Sequence, residues 1–185
     1  MAGRKPRRQS REAGLLHVYT GTGKGKTTAA WGLALRAAGH GLRVKVIEFI
    51  KGPRLTGEHA AARRLGRKVS VETCGLGFYF GRSSEERRRH RMAAERALAR
   101  ARRALSSGRW DVVVLDEAAG AAALRLISTA RLLDALRGRA AGVEAVVTGR
   151  GAPPALRRAA DYLTEMCAVR HPQERGVDGR RGVEF

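Results

Sequence analysis

The sequence predicts a doubly wound α/β fold, one layer of mostly parallel strands sandwiched between helices in a single domain. Short β-rich runs alternate with helical patterns from Leu15 onward, with brief connections between them. The run Asp-Val-Val-Val-Leu-Asp-Glu (111–117) is apolar throughout between flanking acids, the pattern of a strand buried on both faces of a parallel sheet. A glycine-rich loop stands between the first strand and the first helix.

Each element has its own local cause. Leu-Leu-His-Val-Tyr-Thr (15–20) is a short β-rich run, and the helical pattern from Lys26 to Ala38 stops at Gly39. Val-Lys-Val-Ile-Glu-Phe-Ile (44–50) reads as a buried strand, Glu58 to Leu65 as a short helix and Val69 to Thr73 as a third strand. Ser83 and Ser84 can cap a long helix whose first turn carries Glu85 and Glu86, the sign the helix dipole favours there. Met92, Leu98, Ala101 and Leu105 are expected on its buried face, and Ser-Ser-Gly (106–108) ends it. After the 111–117 strand come helices over 118–137, a strand from Val143 to Thr148, a helix from Pro153 to Ala160 opened by its proline, and a last strand from Tyr162 to Arg170.

At 185 residues the chain fits one domain, large enough to bury roughly two-thirds of its unfolded surface. Residues 1–13 are basic and without periodicity, a flexible arm ahead of a domain over 14–185. Cys74 and Cys167 stand far apart and outside any Cys/His ligand pattern, which argues against a zinc site or a disulfide framework. No apolar run reaches the roughly 20 residues that span a bilayer, and the N-terminus lacks a secretion signal's apolar stretch; a reducing cytoplasm is the expected compartment. The net charge of +20 raises the possibility of a nucleic-acid partner. It is nearly all arginine spread through helices among alanine and glycine, so it reads mainly as a compositional bias on a solvated surface.

The strongest chemical signal is Thr-Gly-Thr-Gly-Lys-Gly-Lys-Thr-Thr (20–28), placed as a phosphate loop must be. Glycines at 21, 23 and 25 let the backbone bend so that N–H groups converge, the following helix adds its positive dipole end, and Lys26 adds a point charge. Thr27 is placed to ligate Mg²⁺ (or Mn²⁺). The loop departs from the Walker consensus: Thr20 occupies the first glycine position, Gly21 comes one place late, and Lys24 is an additional lysine. Open α/β sheets bind ligands beyond the carboxyl ends of their strands, so Asp116 or Glu117 would hold the metal opposite Thr27. The fold expected is therefore P-loop NTPase-like, of the RecA-like kind.

Taken together, Gly-Thr-Gly-Lys-Gly-Lys-Thr-Thr-Ala-Ala (21–30), Ala-Leu-Arg-Ala-Ala-Gly-His-Gly (34–41), Phe-Ile-Lys-Gly (49–52), Gly57-Glu58, Val-Leu-Asp-Glu (114–117), Thr-Gly-Arg-Gly (148–151) and the terminal Gly-Val-Glu-Phe resemble the P-loop corrinoid adenosyltransferases in order and spacing. The shortened loop is itself a feature of that family. The resemblance implies transfer of the 5′-deoxyadenosyl group of ATP to the Co(I) of cobalamin or a related corrinoid, with triphosphate leaving intact. ATP is the co-substrate, lying reversed relative to most P-loop enzymes.

Carried onto this chain, the resemblance places ATP on Gly21, Thr22, Gly23, Lys24, Gly25, Lys26, Thr27 and Thr28, with Glu58 and Arg150 beside it. Lys26, Thr27 and Glu117 are the candidate catalytic groups, and Thr27, Asp116 and Glu117 the metal ligands. Gly-Leu-Gly-Phe-Tyr-Phe (75–80) aligns with the stretch where the family sets aromatic residues against the corrinoid, to displace its lower axial ligand and ease reduction of four-coordinate Co(II). Phe78, Tyr79 and Phe80 are those residues, Phe80 standing where the family has tryptophan; the alternative is an ordinary apolar loop anchor. The small residues after Glu117, and Thr22 in place of the frequent asparagine, are further departures. The resemblance also implies a homodimer and an electron donor for Co(II).

Two other readings compete. A P-loop ATPase or small-molecule kinase would use Arg150 as an arginine finger and release ADP or phosphate. An ATP-dependent nucleic-acid-binding protein would carry stacking aromatics on a basic face, yet aromatics are only 5% of residues and three of them sit together at 78–80.

Overall fold

The computed structural model describes residues 14–52 and 56–183. The basic arm expected at 1–13, and the last two residues of the C-terminal Gly-Val-Glu-Phe, lie outside the described residues. The elements follow in the order β1 (Leu16–Thr20), α1 (Lys26–Gly39), β2 (Val44–Glu48), α2 (Gly57–Arg64), β3 (Val69–Thr73), α3 (Ser84–Ser106), β4 (Val112–Asp116), α4 (Ala118–Ala123), α5 (Thr129–Arg137), β5 (Glu144–Thr148), α6 (Pro154–Ala159) and β6 (Tyr162–Glu165). The strands form one six-stranded sheet, order β3-β2-β4-β5-β1-β6, parallel at every pairing. This is the doubly wound single-domain α/β architecture that the sequence predicts, of P-loop NTPase-like form.

The period of two along the strands divides the core between the two faces. Val112, Val114 and Val146 point toward α1, where Ala30, Trp31, Ala34, Ala37 and Ala38 form its buried stripe. Val113, Leu115, Ala145 and Val147 point the other way, onto α3, α4, α5 and α6. Strand β4 is buried along its whole length, as a strand covered on both faces must be. Helix α3 turns a mostly alanine stripe inward, Ala93, Ala94, Ala97, Ala101 and Ala104, with Leu98 in its middle and Leu105 at its C-terminal end. Among the described residues, no helix is long and apolar enough to cross a membrane.

Three expectations are corrected. Met92 lies 51% exposed on the solvent side of α3, because six residues separate it from Leu98 and six steps of about 100° carry it off the stripe. The last strand stops at Glu165 instead of Arg170, since residues beyond it run past the end of β1 into the phosphate loop. The regular β2 strand ends at Glu48: Phe49 and Ile50 keep single backbone bonds to the neighbouring chain segments, Phe49 still buried, but are no longer part of the strand.

Candidate functional site

The carboxyl ends of β1, β2, β4 and β5 converge on one edge, and the chain leaves each of them with a glycine-containing or acidic segment. The loop after β1 needs its glycines for different reasons. Gly21 (φ 98°) and Gly25 (φ 117°) adopt left-handed backbone that a side chain resists. Gly23 needs space, since a Cβ there would stand 2.8 Å from the carbonyl carbon of Cys167. The Gly23 N–H donates to the Met166 carbonyl at 2.7 Å, so the segment after β6 forms the loop's outer wall. Thr20, the residue at the missing Walker glycine, is buried and its hydroxyl accepts from the Ala152 N–H at 3.1 Å. That bond ties the loop's root to the segment after β5, which a glycine could not do.

Lys26 opens α1 and folds back over its own loop, donating to the carbonyls of Gly21 (2.8 Å) and Gly23 (2.6 Å). Burial, helped by the neighbouring Arg150 charge, holds its ammonium below the usual lysine range, against the pull of Glu117. A weakly hydrated, hydrogen-bonded cation is thereby held at the mouth of the loop. Thr22 and Lys24 are exposed on the loop's outer side, Thr28 on the first turn of α1. Thr22 and Arg150 bound an open cleft of about 260 Å³ together with Ala168, His171 and Glu174.

Asp116 is the hub of the acidic half. It is 1% exposed, and its Oδ1 accepts from the hydroxyls of Thr27 at 2.9 Å and Thr148 at 2.7 Å. Its Oδ2 meets the Lys51 ammonium at 3.1 Å and no other donor among the described residues. Thr148 in turn accepts from the Glu117 N–H at 2.9 Å and so holds Glu117 in its left-handed turn (φ 60°). Burial, then the Asp116 charge, raises the Glu117 carboxyl above the usual carboxylate range, although Lys26, Lys51 and Arg150 oppose this. The small residues after Glu117 have a steric cause: a Cβ on Gly149 would stand 2.3 Å from the Gly120 nitrogen, so the 148–151 segment and the start of α4 touch backbone to backbone.

Lys51 lies in the Phe-Ile-Lys-Gly stretch but is not among the site residues that the sequence predicts. Its ammonium also faces Glu48 Oε1 at 3.6 Å, and Glu48 is fully buried. Burial would lower the Lys51 pKa, but Asp116 and Glu48 outweigh it and hold the value above the ordinary one. Glu58 adds its field to Lys51; burial raises the Glu58 carboxyl, but the Thr56 hydroxyl, its own backbone and Lys51 outweigh that and hold it below the usual range. Thr148 and the Met166–Cys167 backbone were likewise invisible as site components, because no local motif marks a hydroxyl or a backbone wall contributed from another strand.

The aromatic segment reaches the site through the backbone. The β2–β3 ladder continues beyond both strands, with Cys74 N–H donating to Glu48 O at 3.0 Å and Gly77 N–H to Ile50 O at 2.9 Å. Gly75 and Gly52 are needed there, since a Cβ on Gly75 would lie 2.3 Å from the Ile50 carbonyl. The tip is then held by the start of α3: Glu86 accepts from the N–H groups of Phe80 (3.1 Å) and Arg82 (2.6 Å), while Ser83 caps the helix. Phe78 and Phe80 are 84% and 63% exposed, with ring centroids 6.2 Å apart. These two are therefore not core anchors. Tyr79 is the anchor, half-buried with its ring 5.2 Å from His90.

The geometry thus brings Lys26, Thr27, Asp116, Glu117, Arg150 and Glu58 into one electrostatic network and sets Phe78 and Phe80 on the segment zipped to Lys51. Such an arrangement can cradle a polyphosphate on backbone N–H groups and Lys26, and offer hard oxygens to a divalent cation. It presents no Ser/His/Asp or Cys/His set for covalent catalysis at these positions. Residues 12–185 match the family model described as ATP:corrinoid adenosyltransferase BtuR/CobO/CobP. A corrinoid adenosyltransferase of Pseudomonas aeruginosa is 41% identical over 94% of this chain and 85% of its own length. The corrinoid adenosyltransferases of Escherichia coli and Salmonella typhimurium are each 33% identical, over 94% of this chain and 87% of theirs.

Proposed function

The chain belongs to the ATP:corrinoid adenosyltransferase family, and from that membership we propose how its residues divide the transfer of the 5′-deoxyadenosyl group of ATP to a Co(I) corrinoid. The observation that carries the division is the pairing of a phosphate loop with a freely exposed aromatic pair on a neighbouring, backbone-tethered segment.

The N–H groups of 21–28 and the dipole end of α1 hold the triphosphate, and Lys26 exchanges its loop carbonyls for phosphate oxygens. Arg150 and Thr22 bound one cleft beside the loop, Lys24 adds its charge from the loop's exposed side, and Glu58 lies beside Lys51. Negative charge builds on the departing triphosphate as the cobalt–carbon bond forms, so cations already in place lower the barrier without reorganising. Alignment of the 5′ carbon with cobalt supplies the rest of the rate enhancement, and no protein nucleophile or general base is called for.

Mg²⁺ fits this site: Thr27 and Asp116 offer a hydroxyl and a carboxylate oxygen, the donors this ion prefers, and the buried Asp116 Oδ2 faces a cation, the Lys51 ammonium. When bound there it would neutralise phosphate charge. Thr27, Asp116 and Glu117, the last fixed through Thr148, would hold it. Phe78 and Phe80 form the apolar wall that keeps water and the lower ligand from cobalt, and Tyr79 holds that wall to α3. A homodimer, an electron donor for Co(II) and a cytoplasmic location complete the proposal; the +20 charge is read as a solvated surface and no nucleic acid is assigned to it.

The test uses ATP, Mg²⁺ and cobalamin supplied either as Co(II) with a reductant or as chemically pre-reduced Co(I). The parent yields photolabile adenosylated product and triphosphate in equal amounts from both. Phe78→Ala and Phe80→Ala should lose most adenosylation from Co(II) while keeping ATP affinity, and pre-reduced Co(I) should restore part of it. Normal rates from Co(II) in both variants would assign the corrinoid to another surface.

A further inference from the structure

Two fully buried carboxylates share one lysine. Glu48 Oε2 is saturated, accepting from the Thr73 hydroxyl at 2.6 Å and lying 3.1 Å from His59 Nε2. Asp116 Oδ1 is saturated by Thr27 and Thr148. The remaining oxygens, Glu48 Oε1 and Asp116 Oδ2, are buried and both turn toward Lys51 Nζ, at 3.6 Å and 3.1 Å, with no other donor to either among the described residues. The two carboxylates sit at the ends of adjacent strands, paired residue to residue in the β2–β4 register. Their charges together exceed what a single ammonium neutralises, and Glu58 adds to the excess.

The backbone under Lys51 is fixed, and the lysine stem above it is long and flexible. Phe49 is buried and its N–H donates to the Asp116 carbonyl at 3.0 Å, and Gly52 packs against Gly77. Four methylenes carry the ammonium from this rigid base, enough freedom to change partner without moving the chain. Asp116 Oδ2 cannot hold an ammonium and a divalent cation together without strong like-charge repulsion at short range.

We propose that Lys51 is a place-holding cation, which occupies the metal's position on Asp116 in the nucleotide-free protein and withdraws to Glu48 and the phosphates when ATP brings the metal. This rests on the assignment of Asp116 as metal ligand made above. Lys51 is a positioning residue on this reading: it keeps Asp116 oriented and free of stray divalent cations, so that metal and nucleotide enter as one unit. Glu48 is the second berth, three residues before Lys51: its Oε2 is taken up by Thr73 and His59, and its Oε1 faces the lysine.

The experiment is a Mn²⁺ titration followed by electron paramagnetic resonance of the free ion, on full-length protein without nucleotide and then with ATP. Without nucleotide, the parent should leave the Mn²⁺ signal nearly undiminished, while Lys51→Met binds Mn²⁺ at least about tenfold more tightly because the competing charge is gone. If circular dichroism shows Lys51→Met unfolded, Lys51→Met with Glu48→Gln restores charge balance and is expected to show the same gain. Parent protein that binds Mn²⁺ without nucleotide as tightly as the folded lysine variant overturns the proposal. Asp116→Asn separates the two assignments: loss of Mn²⁺ from its ATP complex keeps Asp116 as ligand whatever Lys51 does, whereas undiminished binding removes the metal assignment itself.

Discussion

Replacing Thr148 by valine conserves shape and deletes one hydroxyl that is fully buried and makes two bonds at once. It donates to Asp116 Oδ1 at 2.7 Å and accepts from the Glu117 N–H at 2.9 Å. The first loss weakens a charge-assisted bond, each about 1.5–3 kcal/mol, and the second leaves a peptide N–H unpaired, which costs about 1–3 kcal/mol. The two share one site and relax together, so the sum is not additive; about 3 kcal/mol is the expected destabilisation. At about 2–4 °C per kcal/mol for a chain of this length, Tm should fall by about 6–12 °C. Thr148→Ser keeps the hydroxyl and loses one methyl, about 1 kcal/mol. Urea denaturation of both variants without nucleotide should therefore show a lower midpoint with unchanged slope, and a gap of about 2 kcal/mol between them. Calorimetric titration with ATP and Mg²⁺ should also weaken for valine alone, because Asp116 loses one of the two hydroxyls that orient it. If valine and serine lie within about 0.5 kcal/mol of each other, the hydroxyl does not hold the centre and the account of Asp116 fails.

Lys26→Ala removes one charge-assisted phosphate contact of about 1.5–3 kcal/mol, so ATP binding by calorimetry should weaken roughly 10- to 150-fold and turnover should fall at least as far. Retained turnover at saturating ATP would contradict its placement. Glu117→Gln should raise the Tm of the nucleotide-free protein at neutral pH. Its raised carboxyl means that the folded state keeps a proton the unfolded chain has released, so stability falls as pH climbs from the ordinary carboxylate value through the folded one. The glutamine variant should lose that slope, and the two proteins should converge below that window; parallel Tm profiles would refute it. Glu86→Ala frees the N–H groups of Phe80 and Arg82 on an exposed loop where water replaces the carboxylate, so Tm should stay close to the parent's while Co(II)-dependent adenosylation drops. Unchanged adenosylation would show that the aromatic pair needs no strap.

What the sequence determined by itself is what local pattern encodes. The alternation of β-rich runs with helical stripes set the doubly wound sheet, because periods of two and 3.6 residues leave distinct apolar faces. The run 111–117 declared a doubly covered strand, and the spacing of Gly21, Gly23, Gly25 and Lys26 declared an anion cradle. Asp116 was legible because a buried strand that ends in acids points them at the ligand edge of the sheet. Met92 misled for a local reason also, an apolar residue sitting off the helical stripe on a mostly arginine face. Tertiary structure alone decided everything carried across strands. Lys51 is an unremarkable lysine after β2 until the β2–β4 register sets Glu48 beside Asp116. Thr148 becomes the second hydroxyl on Asp116 only because β5 lies between β4 and β1. The division of labour within Phe78, Tyr79 and Phe80, two rings outward and one inward, depends on where α3 begins and on the His90 ring it presents, which no spacing within the loop records. Local pattern fixes which face of an element is apolar, but contacts between side chains far apart in the chain exist only once the strand order is set.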